Sequence, residues 1–221
     1  MRGRQLPLDL AAPPAFGRED FVTGAPNRAA LEWIESWPLW PARVAIVWGP
    51  PGSGKSHLAA IWSAKADASV WQAGEDLHAA ATRPLVMDGW PDGLAEDALF
   101  HLLNLLPERG GWLLMTAETA PSRWTIALPD LRSRLLAAPA VGIGTPDDAL
   151  LAAVLMKHFS DRQLRVAPGV IDFLTARIER SYAAARAVVA AIDEQALAAQ
   201  RDITQALARR VLEGLTQRPL L

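Results

Sequence analysis

The chain has no cysteine, which excludes disulfides and thiolate metal sites and suits a reducing compartment. It has no apolar run long enough to cross a bilayer, and its first residues lack the apolar core and cleavage pattern of a secretory signal. A cytoplasmic protein without membrane contact is therefore expected. Positive charge is not in excess either. Lys and Arg number 22 against 24 Asp and Glu, for a net charge of -2, so any grip on nucleic acid would need a local patch. Lysine occurs only at 55, 65 and 157. The 221 residues are 51% hydrophobic, enough to bury a core for one α/β domain and a smaller helical one.

The pattern along the chain is that of a doubly wound α/β domain. Residues 11–20 are rich in proline and polar groups and read as a linker. Asn27 is placed to cap a helix from about Arg28 to Trp37, stopped by WPLWP. RVAIVW (43–48) is a β-branched apolar run, expected as a strand buried on both faces. Further short strands are expected at SVWQ (69–72), PLVMD (84–88), GWLLMT (111–116) and VGIG (141–144), with an amphipathic helix over 94–106. Thr145-Pro146-Asp147-Asp148 then reads as a helix start, with Thr145 as cap. From there to about Gly214 the pattern is helical, broken near 165–168, Arg180 and Arg201. The expected organisation is a tail at 1–15, an α/β domain at 16–144 and a helical domain at 145–221.

GPPGSGKS is a complete phosphate-binding loop: Gly49, Pro50, Pro51, Gly52, Ser53, Gly54, Lys55 and Ser56, followed by His57. Glycines let backbone N–H groups converge on phosphate, and the helix opening after Gly54 aims its positive end at the same point. Lys55 would neutralise phosphate oxygens and Ser56 would ligate Mg²⁺. Asp88, at the end of an apolar strand, fits the acid that holds Mg²⁺ through water. The next residue is Gly89, where many ATPases of this class carry a second acid that orients the attacking water. The chain is thus equipped to bind a nucleotide and poorly equipped to hydrolyse it alone. Thr116 ends its strand, where its hydroxyl could face the γ-phosphate or be satisfied by backbone. LPDLRSRL (128–135) sets Arg132 and Arg134 two apart in a segment too short for a core helix. This is either a solvated turn or a source of an arginine that reaches a neighbour's nucleotide. Near the start, RQLPLDL (4–10) alternates leucines around Pro7. An extended peptide of this kind can lay Leu8 and Leu10 in an apolar groove while Gln5 hydrogen-bonds at the rim; it can equally pack on its own domain.

The ordered set GPPGSGKSH, LVMDGW, LFHLLN, LLMTAETAPSRW, LPDLRSRL and AQRDIT resembles the AAA+ module of the bacterial replication initiator DnaA. It resembles more closely the Hda (HdaA) family of DnaA-related proteins that inactivate the initiator. The resemblance runs from Phe16 to about Leu212 and implies a P-loop AAA+ parallel sheet flanked by helices and followed by an all-helical lid, without the initiator's DNA-binding domain. It implies that Gln5, Leu6, Leu8 and Leu10 bind the β sliding clamp of DNA polymerase III. Arg134 would be an arginine finger that completes the site of DnaA–ATP in trans. ADP, or ATP, with Mg²⁺ would sit in the chain's own site, with Phe21, Val22 and Asn27 around adenine. The lid position of the family's sensor arginine falls on Ala183, and Arg180 is the substitute expected here, with Arg186 the other candidate. The implied role is negative regulation of replication initiation at the replisome, with DNA contacted only through the loaded clamp. Whether the chain is itself an enzyme stays open. So do a self-sufficient ATPase or loader acting on DNA, a non-catalytic clamp adaptor, and a homodimer or larger homo-oligomer formed through Leu6, Leu8 and Leu10.

Overall fold

The computed structural model describes residues 16–72, 74–199 and 202–216. Five strands form one sheet: β1 (Val44–Trp48), β2 (Ser69–Val70), β3 (Pro84–Asp88), β4 (Trp112–Ala117) and β5 (Ala140–Gly142). Their order is β2-β3-β4-β1-β5 and every pairing is parallel. Helices α1 (Ala25–Glu35), α2 (Lys55–Ala66), α3 (Leu77–Ala80), α4 (Glu96–Arg109) and α5 (Pro129–Ala137) accompany it.

The strands are apolar throughout because both faces of the sheet are covered. Ala45, Val47, Val86 and Leu114 join one core with Ala30, Leu58 and Trp62 of α1 and α2. Ile46, Leu85, Leu113 and Met115 point the other way, onto Leu99 and Leu102 of α4 and Leu131 of α5. A period of two in the strands thus fills two cores from the same segments. Trp40 closes one end of the first core, stacked on Trp62 at 5.3 Å between ring centroids.

The lid domain is built from α6 (Asp148–Asp161), α7 (Val170–Thr175), α8 (Tyr182–Ala199) and α9 (Gln205–Thr216). It encloses a separate core that includes Leu155, Phe159, Leu174, Val189 and Ile192.

Three expectations need correction. The first helix starts at Ala25, not Arg28. Gly24 is its cap, a proline follows within the first turn, and Asn27 lies inside the helix with its Oδ1 accepting from the Gly24 N–H at 2.8 Å. The lid's first helix is capped by Asp147, which accepts from the Leu150 N–H at 2.8 Å, so Thr145 and Pro146 precede it. LPDLRSRL is a true helix, α5, because Leu131 and Leu135 are buried one turn apart and leave Arg132 and Arg134 on its exposed side.

Leu114, fully buried in the middle of β4, anchors the sheet to α2. Leu114→Ala is expected to lower the unfolding free energy by about 2–5 kcal/mol, measured by urea denaturation. A loss well under 1 kcal/mol would contradict the packing described.

Candidate functional site

The carboxyl ends of β1, β3 and β4 meet at one edge, where ligands of open parallel sheets bind. In register, Trp48 lies beside Ala117 and Asp88 beside Thr116. The loop 49–54 leaves β1 here and is fastened by a hydrogen bond from the Gly49 N–H to the Ala117 carbonyl (3.0 Å). Gly52 and Gly54 have φ of +76° and +93°, so only glycine follows this turn without strain. There is a second reason for glycine at these two positions. A Cβ on Gly54 would lie 2.9 Å from the Phe21 ring, and one on Gly52 would lie 3.3 Å from Tyr182 Cβ.

Lys55 Nζ donates to the Gly49 and Pro50 carbonyls (2.9 and 3.0 Å), holding the ammonium against the loop. Burial pulls its pKa below the ordinary lysine value, while Glu118 and then Asp88 oppose that shift. A polyanion would relieve this desolvation. The Ser53 hydroxyl is buried without a hydrogen-bond partner, a donor that phosphate could satisfy. The donor set therefore fits a nucleotide's phosphates, with Ser56 and Asp88 available to Mg²⁺.

Thr116 is buried and donates from Oγ1 to Asp88 Oδ1 (2.5 Å); the same oxygen accepts from the Gly89 N–H (3.0 Å). Its hydroxyl thus orients the acid and the turn that follows it. Gly89 has φ +83°. The missing second acid is therefore also a backbone feature, since a side chain here would carry a left-handed strain of about 1–2 kcal/mol.

A cavity continues from the loop toward the lid, between the segment 20–22, α2 and α6. Phe21, Val22, Asn27 and His57 line it. Asn27 is committed elsewhere: its Nδ2 donates to the Val22 carbonyl (2.8 Å) and its Oδ1 accepts from the Gly24 N–H. It shapes the wall rather than offering a free amide. His57 Nε2 hydrogen-bonds the Gly17 carbonyl (2.8 Å) and its ring meets Phe16 and Phe21 edge-on.

The lid supplies residues that the sequence did not single out. Lys157 Nζ pairs with Asp20 (3.2 Å) and Asp161 (3.0 Å), tying α6 to the segment before α1. These two carboxylates hold Lys157 above its usual value against its own desolvation. Tyr182 donates to the Gly144 carbonyl (3.2 Å), and burial pushes its pKa up to about 12. His158 lines the same cavity. Burial pulls its pKa down, Arg162, Arg186 and Lys157 act in the same sense, and Asp161 opposes them. Glu118, exposed after β4, is the largest opposing charge on Lys55. Periodicity could not find these groups, because they come together only when the lid folds over the loop.

Arg180, expected to reach the phosphates, does not line this cavity. Arg180 is held by Asp148 through two hydrogen bonds of 2.7 and 2.8 Å, on the exposed surface of the lid. Ala183, where the resemblance led one to expect a sensor arginine, has its backbone N 3.7 Å from a Cβ built on Gly52 and carries only a methyl group. Arg134 lies on α5, its guanidinium 5.5 Å from the Phe100 ring centroid, with no ion pair among the described residues. Gln5, Leu6, Leu8 and Leu10 lie outside the described residues.

Comparison with known proteins places this geometry. Residues 147–212 match the family described as Hda, lid domain. The chain is 22% identical to the chromosomal replication initiator protein DnaA of Bacteroides thetaiotaomicron, over 94% of this chain and 51% of that protein, so it spans about half the length of that relative. Domain III of the Thermotoga maritima replication initiation protein DnaA superposes with a TM-score of 0.76 at 15% identity, covering 93% of this chain and 99% of that one. AMPPCP-bound DnaA from Aquifex aeolicus gives 0.65 at 17% identity, covering 80% and 64%. The likeness to the Hda lid thus covers residues 147–212, and the fold as a whole is similar to that of DnaA domain III. The chain's fold is a parallel sheet flanked by helices with a C-terminal helical lid.

The lowered pKa of His158 has a consequence for stability. The unfolded chain takes up this proton more readily than the folded one, so the histidine's contribution is complete above the ordinary value of about 6.5. It is lost as pH falls from there through the folded value. His158→Gln should therefore narrow the gap between urea midpoints at about pH 7.5 and about pH 5.5. An unchanged gap would contradict the burial of a neutral imidazole.

Proposed function

We propose that this chain is a nucleotide-bound regulator of replication initiation that completes the ATPase site of another AAA+ protein rather than turning over its own. The observation that carries this reading is the left-handed glycine at position 89, directly after Asp88 in an otherwise complete P-loop site. A site with Lys55, Ser56 and Asp88 can hold nucleotide and Mg²⁺, but no carboxylate at 89 orients the attacking water. Bound ADP, or ATP, serves as a structural link between the α/β domain and the lid. Such a ligand stabilises the fold by about 2.7 kcal/mol at a hundredfold excess over its Kd. The Aquifex DnaA that superposes on this chain binds AMPPCP, which supports a nucleotide here.

The partner proposed is DnaA, on the strength of the Hda-type lid and the relation to DnaA. Arg134 is exposed on α5 and would stabilise transition-state charge in DnaA's site as an arginine finger, an effect of order 10³–10⁵ in rate for such fingers. Recruitment would come from Gln5, Leu6, Leu8 and Leu10 laid into the β sliding clamp of DNA polymerase III. The loaded clamp would thus bring the inactivator to DNA that is already replicating. Initiation would be negatively regulated because DnaA is left with ADP.

The test uses DnaA–ATP, DNA-loaded clamp and the full chain. Wild type is expected to accelerate hydrolysis of DnaA-bound ATP. Arg134→Ala should remove at least a hundredfold of that stimulation while leaving clamp binding in place, read by pull-down. Gln5→Ala/Leu8→Ala should lose clamp binding and stimulation together. Full stimulation by Arg134→Ala would rule out the finger and favour a non-catalytic adaptor.

A further inference from the structure

If the cavity beside the P-loop receives a nucleotide's base, one of its walls must recognise that base. A census of the polar groups there narrows the choice. The Asn27 amide is spent on Gly24 and Val22, and His57 Nε2 on Gly17. The Tyr182 hydroxyl is spent on Gly144, and Lys157 and Asp20 are spent on each other. Ser53 lies in the phosphate loop. The imidazole of His158 is different: among the described residues no hydrogen bond reaches its ring, yet it lines the cavity beside Val154 and Tyr182. Across from it, Phe21 and Val22 offer apolar surface.

We infer that His158 is the base-recognising residue of this chain, a lid side chain that hydrogen-bonds the edge of the nucleobase stacked against Phe21 and Val22. The inference rests on the nucleotide reading above. A neutral imidazole carries one donor and one acceptor nitrogen, and burial among Arg162, Arg186 and Lys157 keeps it in that form. It can therefore match either sense of hydrogen bond on a neutral base, which a protonated ring could not. The contact also has a mechanical meaning. His158 neighbours Lys157, whose pairing with Asp20 fastens α6 to the segment before α1. A base held by His158 would add a second fastening between lid and sheet. On this reading the phosphates would meet the loop rather than His158, so recognition of the base is separable from recognition of the phosphates.

That separation supplies the test. The affinities of ADP and of inorganic tripolyphosphate are measured by calorimetry on wild type, His158→Ala and His158→Gln, with circular dichroism to check folding. His158→Ala is expected to weaken ADP about tenfold, the scale of one hydrogen bond in a partly buried site, and to leave tripolyphosphate within twofold. His158→Gln, which keeps a donor and an acceptor, should recover most of the ADP affinity. ADP binding unchanged in His158→Ala would overturn the inference. Equal losses for ADP and tripolyphosphate would also overturn it, since His158 would then be supporting the lid as a whole. Wild type that binds neither probe would overturn the nucleotide reading itself, and this inference with it.

Discussion

The close approach of the phosphate loop to the first turn of α8 is the constraint on which the rest depends. Gly52 sits under Tyr182 and Ala183 with no room to spare, and Tyr182 reaches on to Gly144 just after β5. The lid is thereby seated on the loop at the point where β1 ends. On the other side Lys157 clasps Asp20, and Leu150 of α6 lies against Gly24 at the start of α1. The cavity beside the loop lies where these contacts bring the lid against the α/β domain. A ligand that spans the junction would bind by touching both.

The same constraint bears on position 183, where the resemblance led one to expect a sensor arginine. Ala183 is exposed there, and it is Tyr182 and the Ala183 backbone N that come close to Gly52. Arg180 instead neutralises Asp148 at the surface. In this chain the lid meets the α/β domain by packing and by the Lys157–Asp20 pair. This agrees with a site whose turn after Asp88 is a left-handed glycine: both features fit retention of nucleotide better than turnover.

Much of this was legible in the sequence where one residue type answers to one local requirement. The P-loop glycines, the buried runs of β1, β3 and β4, and the acid at the end of β3 each follow from backbone geometry or from burial on two faces. Helix starts were less legible. Asn27 and Thr145 are good caps by type, but Gly24 and Asp147 took those roles because a proline fixes the first turn of α1 and Asp147 alone reaches Leu150 N. LPDLRSRL looked too short for a core helix, whereas two buried leucines one turn apart were enough to make α5 one. The lid's contribution was the least legible. Lys157 and His158 lie some 130 residues from Phe21 in the chain, on a helix whose pattern speaks only of its own core, and nothing local marks a side chain that meets a ligand through a fold between domains.

On the proposed reading, loop and lid together hold a nucleotide as a structural element. Calorimetric titration of ADP into the full chain, beside Lys55→Ala, tests it most directly. The account predicts saturable one-to-one binding by wild type and a loss of at least a hundredfold in the variant. ADP binding of equal strength in both proteins, or none in either, would contradict it.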